Sequence, residues 1–168
     1  MSAVLQELRT RLGAFESPFQ REAFPYSRLA AGLPRGILVE LSGHGKTEAV
    51  AAFLAENSSL RVAWVERSFS LLPSALLQRQ VNLEKIFFVE GGRDSAWAAS
   101  AILRSRLFPV VVYGAPYEDE RELRRFQLLA EKSATTMLLL AEEPLPHAWP
   151  IRLSLACAGR RLTVLKGR

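Results

Sequence analysis

The segment Leu38-Val39-Glu40-Leu41-Ser42-Gly43-His44-Gly45-Lys46-Thr47 joins an apolar strand, a glycine-containing turn and the start of a helix. This order of elements is the context of a phosphate-binding loop, in which backbone N–H groups at a helix N-terminus hold an anion. The ending Gly45-Lys46-Thr47 also fits such a loop. The segment therefore indicates an α/β domain built around this strand, turn and helix.

The turn is shorter than a functional phosphate-binding loop. Four residues normally separate the first glycine from the Gly-Lys pair, because successive N–H groups must wrap around the phosphate. Glu40 stands at the position of that first glycine, and only His44 separates the two glycines. We therefore predict an incomplete phosphate nest, in which a Glu40 carboxylate close to the loop would also repel an anion. A weak phosphate site is the most that we expect, at Gly43, Gly45, Lys46 and Thr47.

Short apolar strands alternate with helical patterns after this segment. The sequence predicts strands at 37–41, 61–65, 86–89, 110–113 and 136–140, and helices at 47–56, 73–80, 95–104 and 119–132. Because the strands have apolar residues at consecutive positions, we expect a parallel sheet with helices on both faces. From residue 151 the pattern alternates and predicts an antiparallel hairpin, with a turn at 158–159. The predicted fold is a three-layer α/β fold with a mostly parallel sheet and a C-terminal hairpin.

The first 32 residues differ in character from the rest. One side of a helix is formed by Val4, Leu5, Leu8 and Leu12, and the aromatic residues Phe15, Phe19, Phe24 and Tyr26 follow among prolines. We predict an amphipathic helix and an extended arm over residues 1–32, followed by a core domain over residues 33–168. The arm is expected to dock on its own core and cover a sheet edge. Self-association of two chains through residues 3–26 is the alternative.

Composition limits the class of protein. With 168 residues, 49% of them hydrophobic, the chain has enough apolar material for one core. It contains no apolar run near the roughly 20 residues that cross a bilayer, so we expect a cytoplasmic protein without a membrane segment. The single cysteine, Cys157, excludes an internal disulfide and a site with several cysteine ligands. We predict that it is a small buried hydrophobic residue, and we predict no metal site.

The net charge of +5 gives a mild attraction to polyanions. Basic residues without acidic neighbours are concentrated at the C-terminal end: Arg152, Arg160, Arg161, Lys166 and Arg168. These residues fit either a solvated pair of strands or a surface for DNA or an acidic partner. The three tryptophans, at 64, 97 and 149, are predicted to pack in the core or at its edges and not to stack on nucleic-acid bases.

From Leu33 to the C-terminus, the order of segments resembles the core of the RecA recombinase. Residues 33–40 resemble the strand before its phosphate loop, and residues 63–68 resemble its next strand. Along this resemblance, Glu66 takes the place of an aspartate and Ser68 that of the glutamate that activates the attacking water. The resemblance therefore implies that the general base is missing.

The segment 110–114 resembles the strand of that family that ends in a magnesium-binding aspartate, and Tyr113 stands at this position. A phenol does not supply the anionic oxygen that a hard cation prefers. With base and metal ligand both replaced, the resemblance implies a domain that does not hydrolyse ATP. We expect no catalytic residue and no ATP or magnesium cofactor.

A shortened RecA-like core with altered ATP motifs is similar to the ImuA family of translesion-mutagenesis accessory proteins and, more distantly, to SulA-type inhibitors of cell division. The first resemblance implies contacts with RecA and a polymerase component, and the second implies contact with the tubulin-like division protein. We therefore predict a non-catalytic accessory protein of the bacterial DNA damage (SOS) response, in translesion synthesis or recombination, that acts by protein contacts. One alternative is a weak ATPase with an unconventional site at Lys46, Thr47 and Glu66. The other is a SulA-like division inhibitor.

Overall fold

The computed structural model describes residues 22–117, 119–147 and 149–167. The predicted helix at Val4–Leu12 lies outside these residues, as do Phe15, Phe19 and Arg168. In chain order the described elements are β1 (Ala23–Phe24), β2 (Leu33–Pro34), β3 (Leu38–Ser42), α1 (Lys46–Glu56), β4 (Val62–Glu66), α2 (Pro73–Leu77), β5 (Ile86–Glu90), α3 (Ser95–Ser105), β6 (Val110–Tyr113), α4 (Glu120–Ser133), β7 (Thr136–Ala141), β8 (Leu153–Ala158) and β9 (Arg161–Lys166). Short 3₁₀ turns precede and follow β5, at Leu83–Lys85 and Gly92–Asp94.

The main sheet has the strand order β5-β4-β6-β7-β3-β8-β9. Neighbouring strands from β5 to β8 are parallel, and β9 alone runs antiparallel, to β8. This confirms the predicted α/β class, the mostly parallel sheet and the C-terminal hairpin. The strand β3, which precedes the glycine turn, lies between β7 and β8, and all five of its residues are buried.

Helices cover both faces of this sheet, which explains why its strands are apolar at consecutive positions. The first face carries α1 and α2, whose Phe53 and Leu76 belong to one hydrophobic cluster with Trp64 of β4. The opposite face carries α3 and α4, whose Leu103 and Phe126 belong to a second cluster. The domain therefore has the three layers that the sequence predicts.

The part of the N-terminal arm that the structure describes docks on its own core. Phe24 and Tyr26 are buried and meet the ring of Phe53 edge-on, with centroid distances of 6.0 and 5.6 Å. The Tyr26 hydroxyl donates a hydrogen bond to the carbonyl of Ala49, at 2.9 Å. These two aromatic residues of the predicted self-association segment are therefore used within the chain.

Three local features differ from the predictions. Helix α2 ends at Leu77 and not at residue 80, because Gln80 adopts a left-handed conformation (φ 62°) and Val81 turns into the core. The hairpin turn is at residues 159–160, since Ala158 is still paired with Arg161. The two-residue pair of β1 and β2 was not predicted.

None of the helices within the described residues has the length and apolar character of a membrane span.

Candidate functional site

The glycine turn packs against the C-terminal hairpin. Gly43 and Gly45 have φ values of +88° and +92°, a conformation that only glycine adopts readily. A side-chain Cβ at these positions would lie 2.8 Å from the carbonyl oxygen of Cys157 and 2.7 Å from that of Gly159. In this structure the two glycines therefore allow the close approach of β8 and its turn. We call residues 43–45 the short loop.

The first N–H group of the short loop is engaged by the chain itself. The Gly43 N–H is shared between the carbonyl oxygens of Ala141 and Glu142, at 3.3 and 3.2 Å. A phosphate nest needs such N–H groups pointing together at the anion. At Gly43 this donor is directed to the end of β7.

Lys46, the first residue of α1, forms an ion pair. Its Nζ donates to Oε1 of Glu142 at 2.8 Å, and the lysine side chain is only 19% exposed whereas that of Glu142 is 85% exposed. The hydrogen bond from Lys46 and its positive charge hold the pKa of Glu142 below its usual value, and the charge of His44 acts in the same direction. Thr47 follows Lys46 in the first turn of α1. Because Lys46 is paired with Glu142, an anion bound at this helix end would compete with the Glu142 carboxylate for the lysine.

Glu40 does not lie at the short loop. It is 1% exposed and accepts hydrogen bonds from the Leu145 N–H and the Ser154 hydroxyl, both at 2.5 Å. Its neighbours Val39 and Leu41 pack in the cluster under α1, so Glu40 points to the opposite face of the sheet. The condition for charge repulsion at the loop is therefore not met. Instead, its hydrogen bonds hold the segment between β7 and β8 against β3.

Of the three other positions implied by the RecA resemblance, Glu66 and Tyr113 are used in packing and Ser68 is not. Glu66 is 6% exposed and accepts hydrogen bonds from the Trp64 indole N–H at 2.9 Å and from the Ser70 N–H at 3.1 Å. It ends β4, which lies three strands from β3, or about 14 Å at the usual strand spacing. Tyr113 is buried, and its ring meets that of Phe126 at 5.3 Å. Ser68 is exposed.

Two of the predicted basic residues at the C-terminal end, Arg152 and Lys166, have partners within the chain. Arg152 pairs with Glu131 at 2.8 Å, and the Lys166 ammonium donates to the carbonyls of His147 and Trp149 at 2.7 and 3.1 Å. Arg160 and Arg161 are exposed at the hairpin turn, next to the short loop.

The tryptophans occupy three different environments. Trp64 is fully buried, and Trp149 packs edge-on against Tyr117 at 6.3 Å. Trp97 is 69% exposed, so the prediction that it packs in the core or at its edge is wrong. The sequence contains the signal: Ala99 and Leu103 form the buried stripe of α3, and a residue two positions before Ala99 lies on the opposite side of the helix.

Cys157 is buried, as predicted. Among the described residues, no three or more His, Cys, Asp or Glu side chains come together in a way that could hold a metal ion.

In structure, the chain is similar to SulA from Pseudomonas aeruginosa. The TM-score is 0.53 at 17% sequence identity, and the match covers 63% of this chain and 98% of the SulA chain. At this identity the likeness concerns the fold. No protein-family model matches the sequence, and no curated protein matches it.

Proposed function

We propose that this domain acts by protein contact and without nucleotide turnover, as a SulA-like inhibitor of cell division that binds the tubulin-like division protein in the cytoplasm. The observation that carries the proposal is the closed phosphate loop. Lys46 is paired with Glu142, and the short loop is pressed against the carbonyls of Cys157 and Gly159. A triphosphate would have to break the ion pair and move the hairpin, which is part of the main sheet.

The structural likeness supports the choice of partner. The match includes 98% of the SulA chain, so nearly the whole of that fold has a counterpart in this domain. Function does not follow from fold alone. Along the RecA resemblance, the residues at the positions of the base and the metal ligand, Ser68 and Tyr113, agree with a partner-binding role, as does the short loop.

Expression in growing bacteria tests the proposal. Induction of the wild-type protein should produce filamentous cells, and the purified protein should reduce the amount of sedimentable polymer formed by the division protein. Lys46→Ala should act like wild type in both assays, because the lysine serves a structural pair. Phe53→Ala, which removes a ring from the core, is the control for loss of folding. Normal cell length at equal protein level, together with unchanged polymer, would refute the proposal.

A second candidate is an accessory role in DNA damage tolerance through contact with RecA or a polymerase accessory protein. The observation in its favour is that the SulA match covers 63% of this chain, which leaves over a third of the residues for other contacts. Pull-down of purified RecA and polymerase components by the tagged protein distinguishes the two candidates. Recovery of either one, without an effect on cell length, would favour the accessory role.

A further inference from the structure

A cleft of about 800 Å³ opens at the carboxyl ends of β4, β5 and β6, with Tyr113 among the residues that line it. The chain leaves β4 towards β5 on one side and leaves β6 towards β7 on the other, so the direction of winding reverses between β4 and β6. Open α/β sheets bind their ligands in crevices at such reversals. The cleft includes none of the residues of the short loop.

Four arginines line this cleft: Arg67, Arg93, Arg121 and Arg125. All four are exposed, and within residues 22–117, 119–147 and 149–167 none of them forms an ion pair. Arginines elsewhere, such as Arg124 with Glu120, do have carboxylate partners. The guanidinium groups at the cleft are therefore available to an anion.

Three carboxylates line the same cleft: Asp94, Asp119 and Glu122. Asp119 caps α4 by accepting a hydrogen bond from the Glu122 N–H at 2.9 Å. Among the described residues that line the cleft, four arginines against three carboxylates give a net formal charge of +1. This balance suits a ligand with one phosphate per unit better than a polyphosphate.

Trp97 adds an aromatic surface to the arginines. It projects from the first turn of α3, lines the cleft and is 69% exposed. A solvent-exposed indole beside several guanidinium groups is the combination on which nucleic-acid bases stack while their phosphates are held.

We propose that this cleft binds a nucleotide unit, with the base stacked on Trp97 and the phosphate held by the surrounding arginines. The unit is either a free mononucleotide or part of a single strand, since both present the same base and phosphate. The proposal is independent of the division target, because it concerns different residues and a different ligand.

Fluorescence anisotropy with a labelled twelve-residue oligothymidylate tests the site in the full-length protein, and thymidine monophosphate serves as competitor. Trp97→Ala should weaken binding by roughly 5-fold or more, and Trp97→Phe should restore most of it. Arg121→Ala should weaken binding and reduce the salt dependence of log Kd by about 0.7 for each phosphate that the variant no longer neutralises. Arg124→Ala, on the same helix but paired with Glu120 outside the cleft, should bind like wild type.

The competitor identifies the form of the ligand. The concentration of thymidine monophosphate that displaces half of the labelled oligonucleotide is compared with that of unlabelled oligonucleotide, both expressed per nucleotide unit. Equal concentrations support a free nucleotide as the ligand. A much lower concentration of the oligonucleotide supports a single strand. Absence of binding by both probes would overturn the proposal. So would binding that Trp97→Ala and Arg121→Ala leave unchanged while circular dichroism shows both variants folded.

Discussion

The Lys46 ammonium lies 2.8 Å from Oε1 of Glu142, a residue 96 positions later in the chain. The lysine that a phosphate loop would direct at its ligand is therefore neutralised by the end of a neighbouring strand. Together with the hairpin carbonyls against the short loop, this pair makes the helix terminus part of the internal structure of the domain.

Acid should remove the contribution of this pair to stability. Since Lys46 lowers the pKa of Glu142 in the folded state, the contribution is present above the unfolded pKa of about 4.3 and is lost as the pH falls through the lower folded value. Urea denaturation of wild type and Glu142→Gln measures it. Wild type should be the more stable at pH 7, and the difference should decrease below pH 4. An equal difference at pH 7 and pH 2.5 would contradict the assignment.

The glycines of the short loop should tolerate substitution less well than another glycine with positive φ. Gly92→Ala has a φ of +56° and open space around its new methyl group, so it should cost about 1–2 kcal/mol of unfolding free energy from backbone strain alone. Gly43→Ala and Gly45→Ala should cost about 1–3 kcal/mol more, because their methyl groups meet backbone oxygens. Thermal and urea unfolding compare the three variants. Equal losses would mean that the hairpin does not press on the loop.

Glu40 should be a structural carboxylate. Glu40→Ala leaves the Leu145 N–H and the Ser154 hydroxyl without their acceptor, at a cost of about 1–3 kcal/mol for the buried hydroxyl and less for the part-buried N–H. In a double-mutant cycle, Ser154→Ala should cost much less in the Glu40→Ala background than in wild type. Burial and, to a smaller extent, the charge of Glu40 raise the pKa of Tyr117 to about 12, so this pKa should decrease in Glu40→Ala. Additive losses and an unchanged Tyr117 pKa would refute the contact.

Alkali should destabilise the docked arm. Burial, the largest cause, raises the pKa of Tyr26 to about 12 from 10.0. The contribution of the protonated phenol is therefore present below pH 10 and decreases between pH 10 and 12, where only the unfolded chain ionises. Tyr26→Phe should lower stability by about 1 kcal/mol at pH 7, through loss of the bond to Ala49, and should weaken the decline with alkali. Identical pH profiles for variant and wild type would place Tyr26 outside the core.

Much of the fold is predictable because its strands are buried on both faces. Strand β6 has three consecutive valines, and its predicted bounds are those observed. The pair of β1 and β2 has only two residues in each strand, too few to produce a periodic pattern. The end of α2 depends on the left-handed conformation of Gln80, which local propensity does not favour.

The candidate site is less predictable, because its contacts join distant parts of the chain. The glycine spacing indicates a short loop, but not that Glu142 would pair with Lys46. Position within β3 alone does not reveal that Glu40 faces away from α1, since that depends on which face α1 covers. The exposure of Trp97 follows from the helical periodicity of α3.

Multiple-turnover hydrolysis of Mg-ATP by the purified full-length protein tests most directly whether the domain works without nucleotide turnover. A closed loop predicts phosphate release no faster than in buffer, for wild type and Lys46→Ala alike. Sustained release by wild type that Lys46→Ala abolishes would contradict the account.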